Sequence, residues 1–277
     1  MGQGAPESLA PLESGIHSPH DTTTRRFRGL HTQNNVGFNR SATYTAYSLL
    51  GLAVTSVDTG LQDYYAARAA EYDRVYEKPE RQADLRTLRR WLPSLLVGTH
   101  LLEVACGTGY WTQLVAPVAA QVVAVDAAPE TLEIARARVA NAAVRFLVGD
   151  AYCLPAGLGT FDASLAAFWF SHVPVARRRE FLGGLSSVLA PGAKVVLVDN
   201  RYVEGSSTPI SERDEDGDTY QLRRLDDGSS HRVLKNFPTE AELRACIAEA
   251  GERLRYTAFD YYWAAEYVTP KADVAQS

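Results

Sequence analysis

Five short aliphatic runs, spaced by helical runs, fill residues 99–200: "THLLEVA", "QVVAVD", "VRFLVGD", "FDASLAAF" and "AKVVLVDN". Each is too short for a buried helix and rich in β-branched or aliphatic residues, so each reads as a strand. A helix is expected from about Tyr110 to Ala116. A second opens at Pro129 and runs through "ETLEIARARVA", with Leu132, Ala135 and Val139 on one face. A third lies in "PVARRREFLGGLSSVL", closed by a Pro-Gly pair. Near-continuous apolar strands separated by helices predict an α/β fold, a doubly wound parallel sheet covered on both faces with right-handed crossovers. Upstream, "LQDYYAARAAEYDRVY" carries a tyrosine stripe (Tyr64, Tyr65, Tyr72, Tyr76) on helix-forming sequence. "PERQADLRTLRRWLPSLL" follows as an amphipathic helix burying Leu85, Leu88 and Leu92.

The rest of the chain sets bounds. At 277 residues and 46% hydrophobic it holds a sizeable core in one large or two small domains. A formal net charge of −5 argues against a nucleic-acid partner, which needs a basic face. Cys106, Cys153 and Cys246 are scattered; they suit neither a disulfide framework nor a metal site, and a cytoplasmic location is expected. No run is long and apolar enough to imply a membrane partner. Residues 1–60 are rich in Gly, Pro, Ser, Thr, His and Asn, without a secretory leader pattern. They are expected to be a disordered extension with one short helix near Ala46–Val54. Because Met1 is the only methionine, a native start near Val54 or Val57 is a further expectation. Residues 61–270 form the expected domain and 271–277 a tail, in a monomer or homodimer.

Three carboxylates fall at expected strand ends: Glu103, Asp126 and Asp150. In open parallel sheets ligands bind outside those ends. The first strand runs into Gly107-Thr108-Gly109, where small residues let backbone approach a ligand. Asp126, 23 residues after Glu103, suits a ribose diol, and Asp150 suits a purine amine. A nicotinamide dinucleotide prefers Gly-x-Gly-x-x-Gly under its pyrophosphate. Here the third glycine is Thr112, Tyr110 and Trp111 crowd the turn, and Glu103 repels a diphosphate. A ligand with an ammonium, a sulfonium, a ribose and an adenine meets all three acids, which points to S-adenosylmethionine (SAM).

The ordered set "EVACGTG", "VVAVDAAPETLEIAR", "VRFLVGDAYCLP", "FDASLAAFWFSHVP" and "VLAPGAKVVLVD" resembles the class I SAM-dependent methyltransferases, in particular the bacterial group acting on quinones and natural products. The resemblance covers Leu61 to Pro270. It implies a Rossmann-like sheet of seven strands, mostly parallel with an antiparallel strand at its end; "ERLRYTAF" and "YYWAAEYVT" supply the last two. It implies that Glu103, Gly107 and Gly109 bracket the methionine end, with Ala105, Cys106 and Thr108 in the same turn and Tyr72 closing over it. Trp111 and Trp169 are expected either to line an aromatic acceptor pocket, to stack beside the sulfonium, or simply to pack in the core. Asp126 and Ala127 then face the ribose, Asp150 and Ala151 the adenine, and Ala167 and Phe168 the cofactor after the fourth strand. Ala105 departs from the glycine frequent in the family. The helix "TEAELRACIAEAG" starts at a Thr239 cap with Glu242 three residues on, and ends at Gly251.

The acceptor side is less defined. His172 is the candidate proton acceptor, against a histidine that only anchors its loop; Trp169, Asn200, Arg201 and His231 are candidate acceptor contacts. Asp199 ends the fifth strand beside Asn200. The insertion 202–237 is expected to form a hairpin with a type I′-like turn at Asp226-Asp227-Gly228, acting as a lid or as a plain surface hairpin. No metal site is evident, thiol catalysis lacks a base near Cys106 or Cys153, and "AAFWF" stands where amino methyltransferases of nucleic acids carry Asn-Pro-Pro-aromatic. The expected function is methyl transfer from SAM to O, N or C of a small-molecule acceptor. A non-catalytic cofactor-binding module and a nicotinamide oxidoreductase are the alternatives.

Overall fold

The computed structural model describes residues 60, 64, 65 and 68–271, all within the compact unit Thr55–Ser277. The expectations for residues 1–59, including the helix near Ala46–Val54 and the downstream start, lie outside the described residues, as does the tail beyond Lys271. A seven-stranded sheet takes the order β3-β2-β1-β4-β5-β10-β9. Its strands are β1 (His100–Val104), β2 (Gln121–Asp126), β3 (Val144–Val148), β4 (Phe161–Ala167), β5 (Leu189–Asn200), β9 (Glu252–Ala258) and β10 (Tyr262–Val268). β1 to β5 are mutually parallel; β10 runs antiparallel to both β5 and β9.

The pleat divides the core in two. Leu101, Val122, Ala124, Leu165 and Val196 point to one face, under α1 (Gln82–Leu95), α2 (Thr112–Val115) and α3 (Pro129–Arg138). Leu102, Val123, Val125, Ala166 and Leu197 point to the other, under α4 (Arg178–Ser186) and α5 (Glu240–Ile247). Alternate residues of one strand therefore feed opposite cores, which is why these strands read as continuous apolar runs. Leu85, Leu88 and Leu92 of α1 are fully buried, each adding roughly 2 kcal/mol by area. The chain after β1 covers the first face and the chain after β4 the second. The crossover direction thus reverses between these two neighbouring strands, opening a crevice at their carboxyl ends.

Several local expectations are corrected. Ala69–Tyr76 is a 3-10 helix, and α2 spans only four residues. The insertion builds a separate three-stranded sheet of β6 (Glu212–Arg213), β7 (Thr219–Arg224) and β8 (Ser230–Leu234). Its β7–β8 loop is not type I′: only Gly228 has positive φ, with Gly228 N bonded to Leu225 O and Leu225 N to Ser229 O. That is a three-residue loop in which glycine closes a type I turn as a bulge. The capping box at Thr239 and Glu242 is present. Gly251 does not cap α5, which ends at Ile247. A Cβ at Gly251 would lie 2.2 Å from the Tyr267 ring, so glycine is required there by close approach.

Candidate cofactor and acceptor site

After β1, residues 105–111 turn back across the ends of β1 and β2. Ala105, Gly107 and Gly109 have φ of +53°, +55° and +73°. Backbone bonds fix the turn: Cys106 N to Val125 O at 3.0 Å, and Gly109 N to Cys106 O at 3.0 Å. Thr108 Oγ1 donates to Asp73 (2.8 Å) and accepts from Arg138, which also pairs with Asp73. Left-handed backbone costs an L-residue about 1–2 kcal/mol, which accounts for the family's glycine where Ala105 stands. Ala105→Gly is expected to add about 0.5–1 kcal/mol of stability after the entropy of glycine is counted. Calorimetry would read this as a melting point about 2 °C higher; a lower one would show that Ala105 carries no strain.

Glu103 lies at the bottom of this turn, 1% exposed, and its Oε2 has no hydrogen-bond partner. Burial, opposed by the Thr112 hydroxyl and aided by nearby Asp126, pushes its carboxyl up to about 8. A buried carboxyl oxygen without a partner fits a cationic group. Asp126 ends β2. Its Oδ2 accepts from Gly107 N (2.8 Å), its Oδ1 from Ala128 N (2.9 Å) and Thr131 Oγ1 (3.0 Å). Burial raises its carboxyl, opposed by these donors. With one bond at Oδ2, the carboxylate keeps acceptor capacity toward the crevice. Asp150, past β3, holds its own loop through Tyr152 N to Oδ1 at 2.9 Å.

Past β4 the chain kinks at Phe168, φ +64°, whose N donates to Val198 O at 2.7 Å. The Phe168 ring stacks on Trp111 and meets Tyr76 edge-on. His172 follows, 4% exposed. Its Nδ1 faces Leu234 O at 2.7 Å and its Nε2 faces the Tyr65 hydroxyl at 2.7 Å. A carbonyl accepts only, so the tautomer assigned from these contacts is Nδ1–H donating and Nε2 accepting. Burial, then Lys235 and Arg223, hold this imidazole well below its usual range. Below it, Lys235 Nζ donates to Ser171 Oγ and to Asp199 Oδ1 (3.1 Å), with burial lowering the ammonium to about 8.

Two cavities meet here. One, of about 300 Å3, lies along the carboxyl ends of the strands and is lined by Ala105, Gly107, Asp126, Ala127, Asp150 and Ala151, among others. The other, of about 450 Å3, lies between residues 64, 65 and 68–81, the end of β5 and the inserted sheet. Tyr65, Tyr72, Phe168 and His172 line both.

Several candidate residues do not line either cavity, among them Glu103, buried beneath the turn, and Thr108, buried within it. Trp111 is buried, its Nε1 donating to Tyr76 OH at 3.2 Å. Cys106 and Ala167 point into the core beside it. Gly109 packs on α3, where a Cβ would lie 3.0 Å from Ala135. Arg201 turns away to the carbonyl of Phe259, and His231 bonds Ser229 Oγ at 2.8 Å. Trp169 lines the smaller cavity rather than the larger, and His172 is buried rather than at the rim. Asn200 lines the larger cavity and accepts from Arg81 at 3.0 Å. Sequence reasoning missed Arg68, Arg81, Arg223 and Lys235 in that cavity; only their sign marked them. Among the described residues no cluster of His, Cys, Asp or Glu is placed to hold a metal, and no helix is long and apolar enough to cross a membrane.

Fold and site define an α/β enzyme with a nucleoside-type crevice at the switch point of a doubly wound sheet. A family model described as a methyltransferase domain matches residues 101–192. Demethylmenaquinone methyltransferase of Thermus thermophilus is 33% identical, over 72% of this chain and 96% of its own. Ubiquinone biosynthesis O-methyltransferase of Xanthomonas axonopodis is 32% identical, over 57% of this chain and 64% of its own. Among solved structures, DhpI bound to SAH superposes with a TM-score of 0.64 at 28% identity, covering 77% of this chain and 96% of DhpI. The DhpI-SAM-HEP complex gives 0.63 at 29%, covering 78% and 100%. The chain belongs to the class I SAM-dependent methyltransferases. It is a methyltransferase whose cofactor is SAM, and the oxidoreductase and non-catalytic alternatives fall away.

Proposed function

We propose that the smaller cavity holds SAM and the larger one a small-molecule acceptor, with methyl transfer across the wall of Tyr65, Tyr72, Phe168 and His172. The observation that carries this reading is that shared wall, which joins the cavity at the strand ends to a second, separately lined one. When bound, SAM supplies an electrophilic methyl group on a sulfonium. Glu103, beneath the Ala105 and Gly107 lining rather than on the cavity wall itself, is assigned to the ammonium of its amino-acid end, because Oε2 is buried and unpartnered. Gly107 gives room beside it: a Cβ there would already touch the Tyr72 ring at 3.8 Å. Asp126 is assigned to the ribose and Asp150 with Ala151 to the adenine end. The aromatic wall excludes water and aligns the two reacting groups, which supplies much of the acceleration for an in-line displacement. His172 is assigned to positioning Tyr65 rather than to taking a proton, since its one free nitrogen lone pair already accepts from that hydroxyl. The inserted sheet serves as the outer wall of the acceptor cavity.

Titration of SAH into wild type and Asp126→Asn tests the cofactor assignment. Asparagine keeps the packing but halves the acceptor capacity toward a diol. An affinity loss of about thirtyfold, near 2 kcal/mol, is expected. Equal affinities would remove Asp126 from the ribose site.

A further inference from the structure

We infer that the acceptor binds as an oxyanion, a carboxylate, phosphonate or phosphate on a small molecule, and that this oxyanion is itself the atom methylated. The inference rests on the two-cavity reading above and adds the acceptor's charge. The chain carries a net charge of −5, yet the larger cavity is lined by seven Lys or Arg and only two carboxylates. Both carboxylates, Glu71 and Asp226, are taken by Arg74, at 3.6 and 2.6 Å.

Arg68, Arg81 and Arg223 pair with no carboxylate among the described residues. Arg81 is buried and donates to Ser206 Oγ and Asn200 Oδ1, both at 3.0 Å. Arg68 donates to Tyr64 OH at 3.0 Å and lies over the Tyr72 ring. Arg223 donates to Gln221 Oε1 through Nε and Nη2, at 3.2 and 2.7 Å. Neutral oxygens and rings orient these guanidinium groups without cancelling their charge. Each retains N–H donors of the fork that matches an oxyanion. Lys78 lies among them, its ammonium lowered by burial and then by Arg81 and Arg223. Cations that repel one another in a partly buried cavity are relieved by an anion.

The shared wall also lacks a base. His172 donates through Nδ1 and accepts through Nε2, so it has no lone pair for an acceptor proton. The Tyr65 and Tyr72 phenols are raised by burial and stay protonated. An alcohol or phenol acceptor would need a base in this position; an oxyanion needs none. A lone pair of the acceptor oxygen forms the new O–C bond as the S–C bond breaks, and the breaking pair stays on sulfur. The acceptor's negative charge and the sulfonium's positive charge vanish together, no proton moves, and the product is a methyl ester.

The test is calorimetric titration of the SAH-loaded protein with benzoate, phenylphosphonate and, as the neutral isostere, benzamide. At least one anion is expected to bind about tenfold or more tightly than benzamide, with affinity falling as salt rises from about 20 to about 300 mM. Benzoate alone would identify a carboxylate site, and phenylphosphonate alone a phosphonate or phosphate site. Arg68→Gln and Arg223→Gln are expected to cost about tenfold in anion affinity with SAH affinity unchanged, and Arg223→Lys to recover part of the loss. Incubation of wild type with SAM and the bound anion should give the methyl ester by mass spectrometry. Benzamide binding as tightly as both anions, or anion affinity unmoved in both glutamine variants, overturns the inference. Failure to bind SAH would instead overturn the cofactor-site reading and leave the basic cavity untouched.

Discussion

Glu103→Gln is expected to weaken SAM binding by about a hundredfold, near 3 kcal/mol, the scale for a buried charge that loses its partner. The same change is expected to stabilise the cofactor-free protein in alkaline solution. In the unfolded chain this carboxyl ionises near 4.5; in the folded protein burial holds its proton to about 8. Between those values the folded state binds the extra proton. The stability contributed by this group is full below 4.5 and falls as pH rises toward 8. Glutamine removes that slope, so the variant's melting point should gain on wild type with each step up in pH across the window. Cofactor binding has the opposite sign. An ammonium beside Glu103 favours the carboxylate, so binding near pH 7 should expel about one proton. Affinity should rise by up to about tenfold per pH unit below 8, then level off as the ligand's own amine, with a pKa of about 7.7–8.0, deprotonates. Calorimetry in two buffers of different ionisation enthalpy counts the proton. Binding without proton release, at an affinity flat with pH, would show that Glu103 is ionised before SAM arrives and would sink this account.

That Glu103, Asp126 and Asp150 fall at or just past strand ends was legible in the sequence for a simple reason. Each follows an apolar run, and the ends of parallel strands are where a ligand can sit. A seven-stranded sheet, parallel except at its end, followed from the alternation of strands and helices plus the resemblance, and the structure has it; the order of the strands did not follow from the sequence. The larger cavity was not legible, because residues 64, 65, 68–81, 200–208 and 221–237 converge on it from far apart in the chain. Nothing local distinguishes Arg223, which faces the cavity, from Arg201, which lies one residue past β5 and turns toward Phe259. Trp111 shows the same limit: its position beside the glycine turn is right for a cofactor contact, but its indole packs against Tyr76 and Phe168. Sequence spacing sets where a Cα lies, while side-chain direction is set by neighbours that are distant in the chain. The loop at Gly228 and the packing of Gly251 under Tyr267 fall to the same cause.

Lys235→Met is expected to cost about 3–5 kcal/mol of stability, because it strands a buried carboxylate. Asp199 is fully buried at the end of β5 and Lys235 is 5% exposed, their charges 3.1 Å apart. Ser171 bonds both of them, and Asp199 also accepts from Ser171 N and Asn200 N. Those amide donors remain in the variant and hold the loss near the lower end of that range. The pair ties three segments that are distant in sequence: the turn after β4, the end of β5 and the strand leaving the insertion. Asp199→Asn should cost less, since an amide still accepts from its neighbours, although it leaves the ammonium unpaired. The double variant Asp199→Asn/Lys235→Met should recover about 1–3 kcal/mol relative to the sum of the singles. Chemical denaturation of the four proteins closes this cycle. Additive losses would mean that each group is held by its neutral partners and that the ion pair does not clamp the inserted sheet to the domain. A recovery accompanied by unchanged SAH affinity would locate the clamp on the acceptor side alone, where Lys235 Nζ lies 3.5 Å from His172 Nε2.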